Sequence, residues 1–222
     1  MFYINYVKRL IDILASFLAI IFLSPILLFT TICLLFTGEH YVFYFQERVG
    51  YKNKKFNIYK FVTMIKNSPN IGSGIYTKRN DPRVLFFGKF LRKTKINELP
   101  QLFNVLFGQM SIVGPRPLVD KTFHQYPKEI KNKIYNSKPG LTGIGSIIFR
   151  DEEKLLTNTK LPLEVYYRKF ISPFKGNLEI WYQNNKSFYT DMMIIFITIW
   201  VIFNPNSNLP YKVFKDLPNM KL

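Results

Sequence analysis

The sequence predicts an α+β protein, mostly helical with a small sheet, carrying an N-terminal membrane helix and amphipathic interfacial helices. Three observations carry this. Residues 13–36 are a run of 24 without a charge, which as a straight helix reaches about 36 Å against a hydrocarbon core of about 30 Å. Leu99, Leu102, Phe103 and Leu106 fall on one apolar helical face, and Gly108 suits the residue just past the helix end. Lys55-Phe-Asn-Ile-Tyr-Lys-Phe-Val-Thr-Met64 has the alternation of a half-buried strand.

The 222 residues include 31 Lys and Arg against 14 Asp and Glu, a net charge of +17, with 48% hydrophobic and 17% aromatic residues. One domain plus attachments is the simplest division. A basic chain this apolar fits an anionic membrane surface better than a soluble nucleic-acid binder, and no nucleic-acid motif accompanies the charge. Cys33 is the only cysteine, which excludes an intrachain disulfide and a thiolate metal cluster. His40 and His124 lie far apart in sequence and read as ordinary surface histidines.

In chain order, a short basic start with Lys8 and Arg9 precedes the apolar run. No small-residue cleavage site follows, so the run is expected to be retained. Ser24-Pro25 sits within it, where proline removes a backbone hydrogen bond and bends a helix. Lys8 and Arg9 flank one end, and Arg48, Lys52, Lys54 and Lys55 the other, so both ends prefer the same side of a membrane. A broken helix that enters and leaves one leaflet fits the residues, and so does a single-pass helix with a tolerated proline. Tyr41-Val-Phe-Tyr-Phe45 predicts an aromatic interfacial segment and Gln46-Glu-Arg-Val-Gly50 a turn. Residues 67–79, with Ser68, Pro69, Gly72, Ser73 and Gly74, predict a mobile loop.

Residues 84–92 predict a basic amphipathic helix on the membrane, with Leu85, Phe86, Phe87, Phe90 and Leu91 dipping into lipid. Next, Asn97 is a good N-cap for the helix that carries Leu99 to Leu106, and Glu98 then projects from a helix start suited to phosphate. A short buried strand follows, and then Gly114-Pro-Arg-Pro117, whose prolines restrict the backbone around Arg116. The glycines of Lys138-Pro-Gly-Leu-Thr-Gly-Ile-Gly-Ser146 allow backbone amides to approach a ligand. The acids at 151–153 read as a solvated helix start, with metal ligation as the alternative. Residues 192–203 are apolar but too short to span, and are expected to pack on the domain or graze the bilayer. The tail, with three prolines, predicts irregular structure. The expected division is 1–38 membrane helix, 39–203 catalytic domain and 204–222 tail.

The runs Ile96-Asn-Glu-Leu-Pro-Gln-Leu102 and Met110-Ser-Ile-Val-Gly-Pro-Arg-Pro117 resemble the signature of bacterial sugar transferases of the monotopic phosphoglycosyl transferase type. Gln46 to Gly50, Asn80-Asp-Pro-Arg83, residues 138–143 and residues 181–191 are similar to further family elements. The chain departs from the family's pattern at Asn97, where the family has an aspartate, its proposed nucleophile, and at Val62, where an arginine is usual.

The resemblance implies a re-entrant helix with a Ser-Pro break and a catalytic domain on the cytoplasmic face of the bacterial inner membrane. It also implies transfer of a sugar 1-phosphate from a nucleotide diphosphosugar, by family habit a UDP-sugar, to a polyprenyl phosphate, with Mg2+ assisting and surface polysaccharide or glycoconjugate synthesis beginning there. The implied site is Glu98 and Asn97 as catalytic residues and metal ligands, with Arg83, Arg92, Arg116 and Arg150 on substrate phosphate. Membrane lipids are further partners, nucleic acid is not, and a homodimer is compatible. Since a neutral amide is a poor nucleophile, the favoured reading gives the carboxylate role to Glu98. The alternative is a catalytically silent relative that binds substrate or a partner enzyme, and the last is a basic membrane or nucleic-acid-binding protein.

Overall fold

The computed structural model describes residues 3–219. A π-helical turn leads into α1 (Lys8–Phe36), followed by β1 (Phe43–Val49) and β2 (Lys55–Phe61), an antiparallel pair in which Phe43 faces Phe61 and Val49 faces Lys55. Next come α2 (Phe86–Thr94), a 3-10 turn (Ile96–Glu98), α3 (Gln101–Leu106) and β3 (Ser111–Val113). After α4 (Asp120–Phe123) and α5 (Lys128–Ile134), β4 (Gly140–Thr142) pairs parallel with β3. The rest is helical: α6 (Ile144–Ile148), α7 (Glu152–Asn158), α8 (Leu163–Tyr166), α9 (Ser172–Asn185), α10 (Phe188–Phe203) and α11 (Leu209–Val213).

α1 stays helical through Pro25. The Ile21 carbonyl, which loses its backbone donor to the proline ring, instead accepts a hydrogen bond from Ser24 Oγ at 2.8 Å. Only Asp12, Ser16, Thr30 and Leu34 of the helix are buried. Its first turns are fastened by polar groups: Lys8 Nζ bonds Asp191 and the Val113 carbonyl, and Arg9 donates to the carbonyls of Val105 and Leu106. Asp12 Oδ1 accepts from Ser111 Oγ and the Ile112 amide.

The main core gathers α5, α6, α9 and α10 around Tyr135, Ile144, Leu178, Tyr182 and Ile194. A smaller cluster of Leu34, Phe61 and Leu91 locks α1, β2 and α2 together. Leu91 is therefore core, not a lipid contact, whereas Phe86 of the same helix is 94% exposed. That is the split an amphipathic helix requires.

Three further expectations change. The turn expected at residues 46–50 is strand, because Gln46, Glu47 and Arg48 pair with β2, and the chain reverses after Gly50. The loop at 67–79 is tied down by Arg83, as described below. The tail carries α11, and Phe214 and Leu217 enter the core while Asp216 accepts the Trp181 indole N–H at 2.9 Å; apolar residues between the prolines make that packing possible.

Candidate active site

A cleft of about 1160 Å³ opens between β2, α2, the Ile96–Glu98 turn, the Arg116 loop, α6 and α7. Its back wall depends on missing side chains. The Gly114 amide donates to the Thr142 carbonyl and the Gly140 amide to the Pro115 carbonyl, both at 2.9 Å. A Cβ on Gly140 would lie 2.1 Å from the Gly114 nitrogen, and one on Gly143 would lie 2.1 Å from its carbonyl oxygen. Gly140 and Gly143 thus allow backbone to meet backbone, setting the loop that presents Arg116; this is a packing use, where the sequence suggested approach to a ligand.

Asn97 does not cap a helix. α3 begins only at Gln101, and residues 96–98 form a separate 3-10 turn without a side-chain cap. The Asn97 side chain is buried at the cleft, and its Oδ1 accepts no hydrogen bond. A buried unpaired oxygen costs about 1–3 kcal/mol, so this atom is poised for a donor or a cation.

Glu98 is the centre of charge. Its Oε1 lies 3.0 Å from Arg116 Nη2 and 3.6 Å from Lys60 Nζ. Burial opposes ionisation of this carboxyl, but Arg116, Lys60 and Lys95 outweigh it and hold its pKa well below the ordinary range. Glu98 in turn raises Arg116, against the opposing effect of burial. Lys60 is pushed down to about 7, first by burial and then by Arg48, Arg116 and Arg92, with Glu98 opposing. A carboxylate held this far ionised is a poor proton acceptor yet a permanent negative charge, available to bond phosphorus or a cation.

The cleft also collects Arg92 and Arg150, as the sequence suggested, together with Arg48, Lys93 and Lys95, which it did not. Arg150 has no acidic partner among the described residues. The acids at 151–153 do open a helix, with Asp151 just before α7 and Glu152 and Glu153 in its first turn, and each is also ion-paired: Asp151 with Arg79 at 2.6 Å, Glu152 with Lys175 at 2.7 Å, and Glu153 with Arg92 at 2.5 Å. Lys175 and Glu179, both buried on α9, were also missed. Glu179 Oε1 lies 3.5 Å from the Arg116 amide, and burial pushes its carboxyl up to about 8. Lys60 was legible as a polar position on an otherwise half-buried strand, while nothing local marks Glu179.

Arg83 stands apart from the other arginines. It is 4% exposed and does not line the cleft. Its guanidinium bonds Asp81, Ser73 Oγ and the carbonyls of Ser68, Ile71, Gly74 and Tyr76. Its five N–H donors are spent on Asp81 and on closing the 67–79 loop, so none is left for phosphate. Arg83→Met is expected to lower stability by about 3–5 kcal/mol, since it leaves Asp81 buried without its cation; an unfolding midpoint equal to wild type would disprove the strut role.

As for metal, among the described residues no three acidic, histidine or cysteine side chains converge. On the Ile96–Glu98 turn the oxygen donors are the Glu98 carboxylate, which faces Arg116 and Lys60, and the unpaired Asn97 Oδ1. That set suits Mg2+, which takes few protein ligands and fills its shell with water and substrate phosphate.

A mostly helical α+β domain with one long apolar helix and a cationic, carboxylate-centred cleft defines the class: a domain whose site is charged to suit an anionic ligand. Residues 3–205 match the family model of bacterial sugar transferases, and the chain belongs to that family. It is 37% identical to a UDP-glucose:undecaprenyl-phosphate glucose-1-phosphate transferase of Klebsiella pneumoniae, over 87% of this chain and 39% of that protein. It is 35% identical to a UDP-N-acetylgalactosamine-undecaprenyl-phosphate N-acetylgalactosaminephosphotransferase of Aeromonas hydrophila, over 89% and 44%. Against the exopolysaccharide production protein ExoY of Rhizobium meliloti the identity is 31%, over 86% of this chain and 83% of that protein. The chain thus spans about two fifths of the first two relatives and most of the third.

Proposed function

We propose that this protein transfers a sugar 1-phosphate from a UDP-sugar to a polyprenyl phosphate at the cytoplasmic face of the bacterial inner membrane, beginning a surface polysaccharide or glycoconjugate. The observation that carries the reading is Glu98, held ionised between Arg116 and Lys60 in a cleft lined by further cations. The relatives' printed activities supply the donor and acceptor classes. In the reaction an oxygen bonds to the sugar-proximal phosphorus while the bond from that phosphorus to the bridging oxygen breaks, and the electron pair leaves with UMP. Arg116, Arg92 and Arg150 offset the charge of two anionic substrates. The low pKa of Glu98 supports nucleophilic attack or metal ligation over proton abstraction. Mg2+ would be held by Glu98 and Asn97 and would neutralise charge on the diphosphate.

Incubating the purified protein with Mg2+, polyprenyl phosphate and a panel of UDP-sugars tests the proposal. UMP and a polyprenyl diphosphosugar are expected for at least one donor. Asn97, where the family has aspartate, favours the second reading of a catalytically silent relative, and binding without UMP release from any donor would establish it.

For topology, the re-entrant reading is supported by basic residues at both ends of α1 and by Pro25 within it. Pro25→Leu restores the backbone donor for the Ile21 carbonyl and is expected to shift α1 toward a spanning state. Labelling of single cysteines at positions 3 and 54 from outside intact cells measures this: neither is expected to react in the parent, and position 3 alone in the variant. Labelling of position 3 in the parent would refute re-entry.

A further inference from the structure

The cleft has two chemistries. Its floor is cationic, but the wall formed by Leu141, Ile147, Leu156, Val201 and Ile202 is apolar. This wall is anchored where Thr142 Oγ1 of β4 meets Thr198 Oγ1 of α10 at 2.7 Å. α10 buries Ile194, Ile197 and Val201, while Phe196, Ile199, Trp200, Ile202 and Phe203 are exposed. Ile202 belongs to both surfaces: it lines the cleft, and it is one of the exposed apolar residues of α10. At 16 residues the helix reaches about 24 Å, too short to cross a bilayer, so its face is available along the membrane surface.

We propose that this face is the acceptor's binding track: the isoprenoid chain of the lipid phosphate lies along α10 and enters the cleft past Ile202, bringing its phosphate to Arg116 and Arg150. The track rests on the transfer reaction proposed above. An anionic head joined to a long apolar tail is the ligand that matches a cationic floor continuous with an apolar exit. A second copy of the chain is a poorer occupant, because it would bring another +17 charge against the same surface.

The test uses the full chain in nanodiscs. Ile202→Ser removes apolar contact from an exposed position and is expected to raise KM for polyprenyl phosphate about tenfold with KM for the UDP-sugar unchanged. Phe86→Ser, on an exposed α2 residue outside the cleft, serves as the control for general membrane contact and is expected to leave both constants near wild type. Independently, a benzophenone-bearing isoprenyl phosphate is expected to photolabel α10, with Ile202→Ser reducing the yield. Labelling confined to α1, or an unchanged acceptor KM in Ile202→Ser, overturns the track. Labelling of α10 in a protein that turns over no donor keeps the track and refutes the transfer reaction instead.

Discussion

Replacing Glu98 by glutamine is expected to abolish transfer, lowering kcat on the order of a thousandfold, the scale on which charge-stabilising groups act. The substitution keeps size and one acceptor oxygen but deletes the charge that faces Arg116 at 3.0 Å and Lys60 at 3.6 Å. Because the cleft already holds an excess of cations, removing its central anion should also tighten binding of inhibitory phosphates, which a fluorescent nucleotide can report. Asn97→Asp is the companion experiment. It places a second carboxylate where Oδ1 now lacks a partner, and the near-identical shape of the two side chains should let the fold tolerate it. A faster enzyme would mean that the amide is a lost nucleophile; an equal or slower one, that the site is built on Glu98 alone. Mass-spectrometric trapping of a phosphosugar adduct on Glu98 would establish the covalent route. Wild-type turnover in Glu98→Gln would sink the assignment and move the search to Asp81 and the acids at 151–153.

Arg116→Lys is expected to lose about a hundredfold in rate while remaining folded. A guanidinium can bond Glu98 and a phosphate oxygen together in fixed planar geometry, whereas an ammonium is a mobile point charge. Folding should survive because the loop is held by its backbone: the Arg116 carbonyl accepts from Tyr135 Oη at 2.9 Å, and Glu98 keeps Lys60. Circular dichroism and the thermal midpoint separate the two effects. Activity near wild type in Arg116→Ala would remove Arg116 from the site.

Which parts were legible in the sequence follows from how local their causes are. The apolar run of α1, the face of α2 and the strand at Lys55 write themselves in periodicity, and the Glu98 and Arg116 segments stand out through proline and charge. What failed depended on distant partners. Arg83 looked like a phosphate ligand through the resemblance of Asp81-Pro-Arg83 to a family element, and only Asp81 and the return of the 67–79 loop consume its donors. The acids at 151–153 were legible as a helix start but their ion pairs were not, because Arg79, Arg92 and Lys175 come from three separate segments. Asn97 looked like a cap because helix propensity cannot tell a 3-10 turn from the first turn of an α-helix.

The fastening of α1 also decides what kind of anchor it is. Lys8, Tyr3 and Tyr182 converge on Asp191, which is 1% exposed. A hinge has slack at its pivot, but this joint is a keystone: the apolar helix completes the fold, locked to α10 through a buried charge. A version made by deleting residues 1–36 should therefore be damaged even where no membrane is needed, losing about 3–5 kcal/mol as Asp191 keeps Tyr182 but is buried without its cation. Asp191→Asn should destabilise the full chain yet partly rescue the truncated one. That reversal of sign, read in thermal midpoints, would not be produced by a helix that merely tethers.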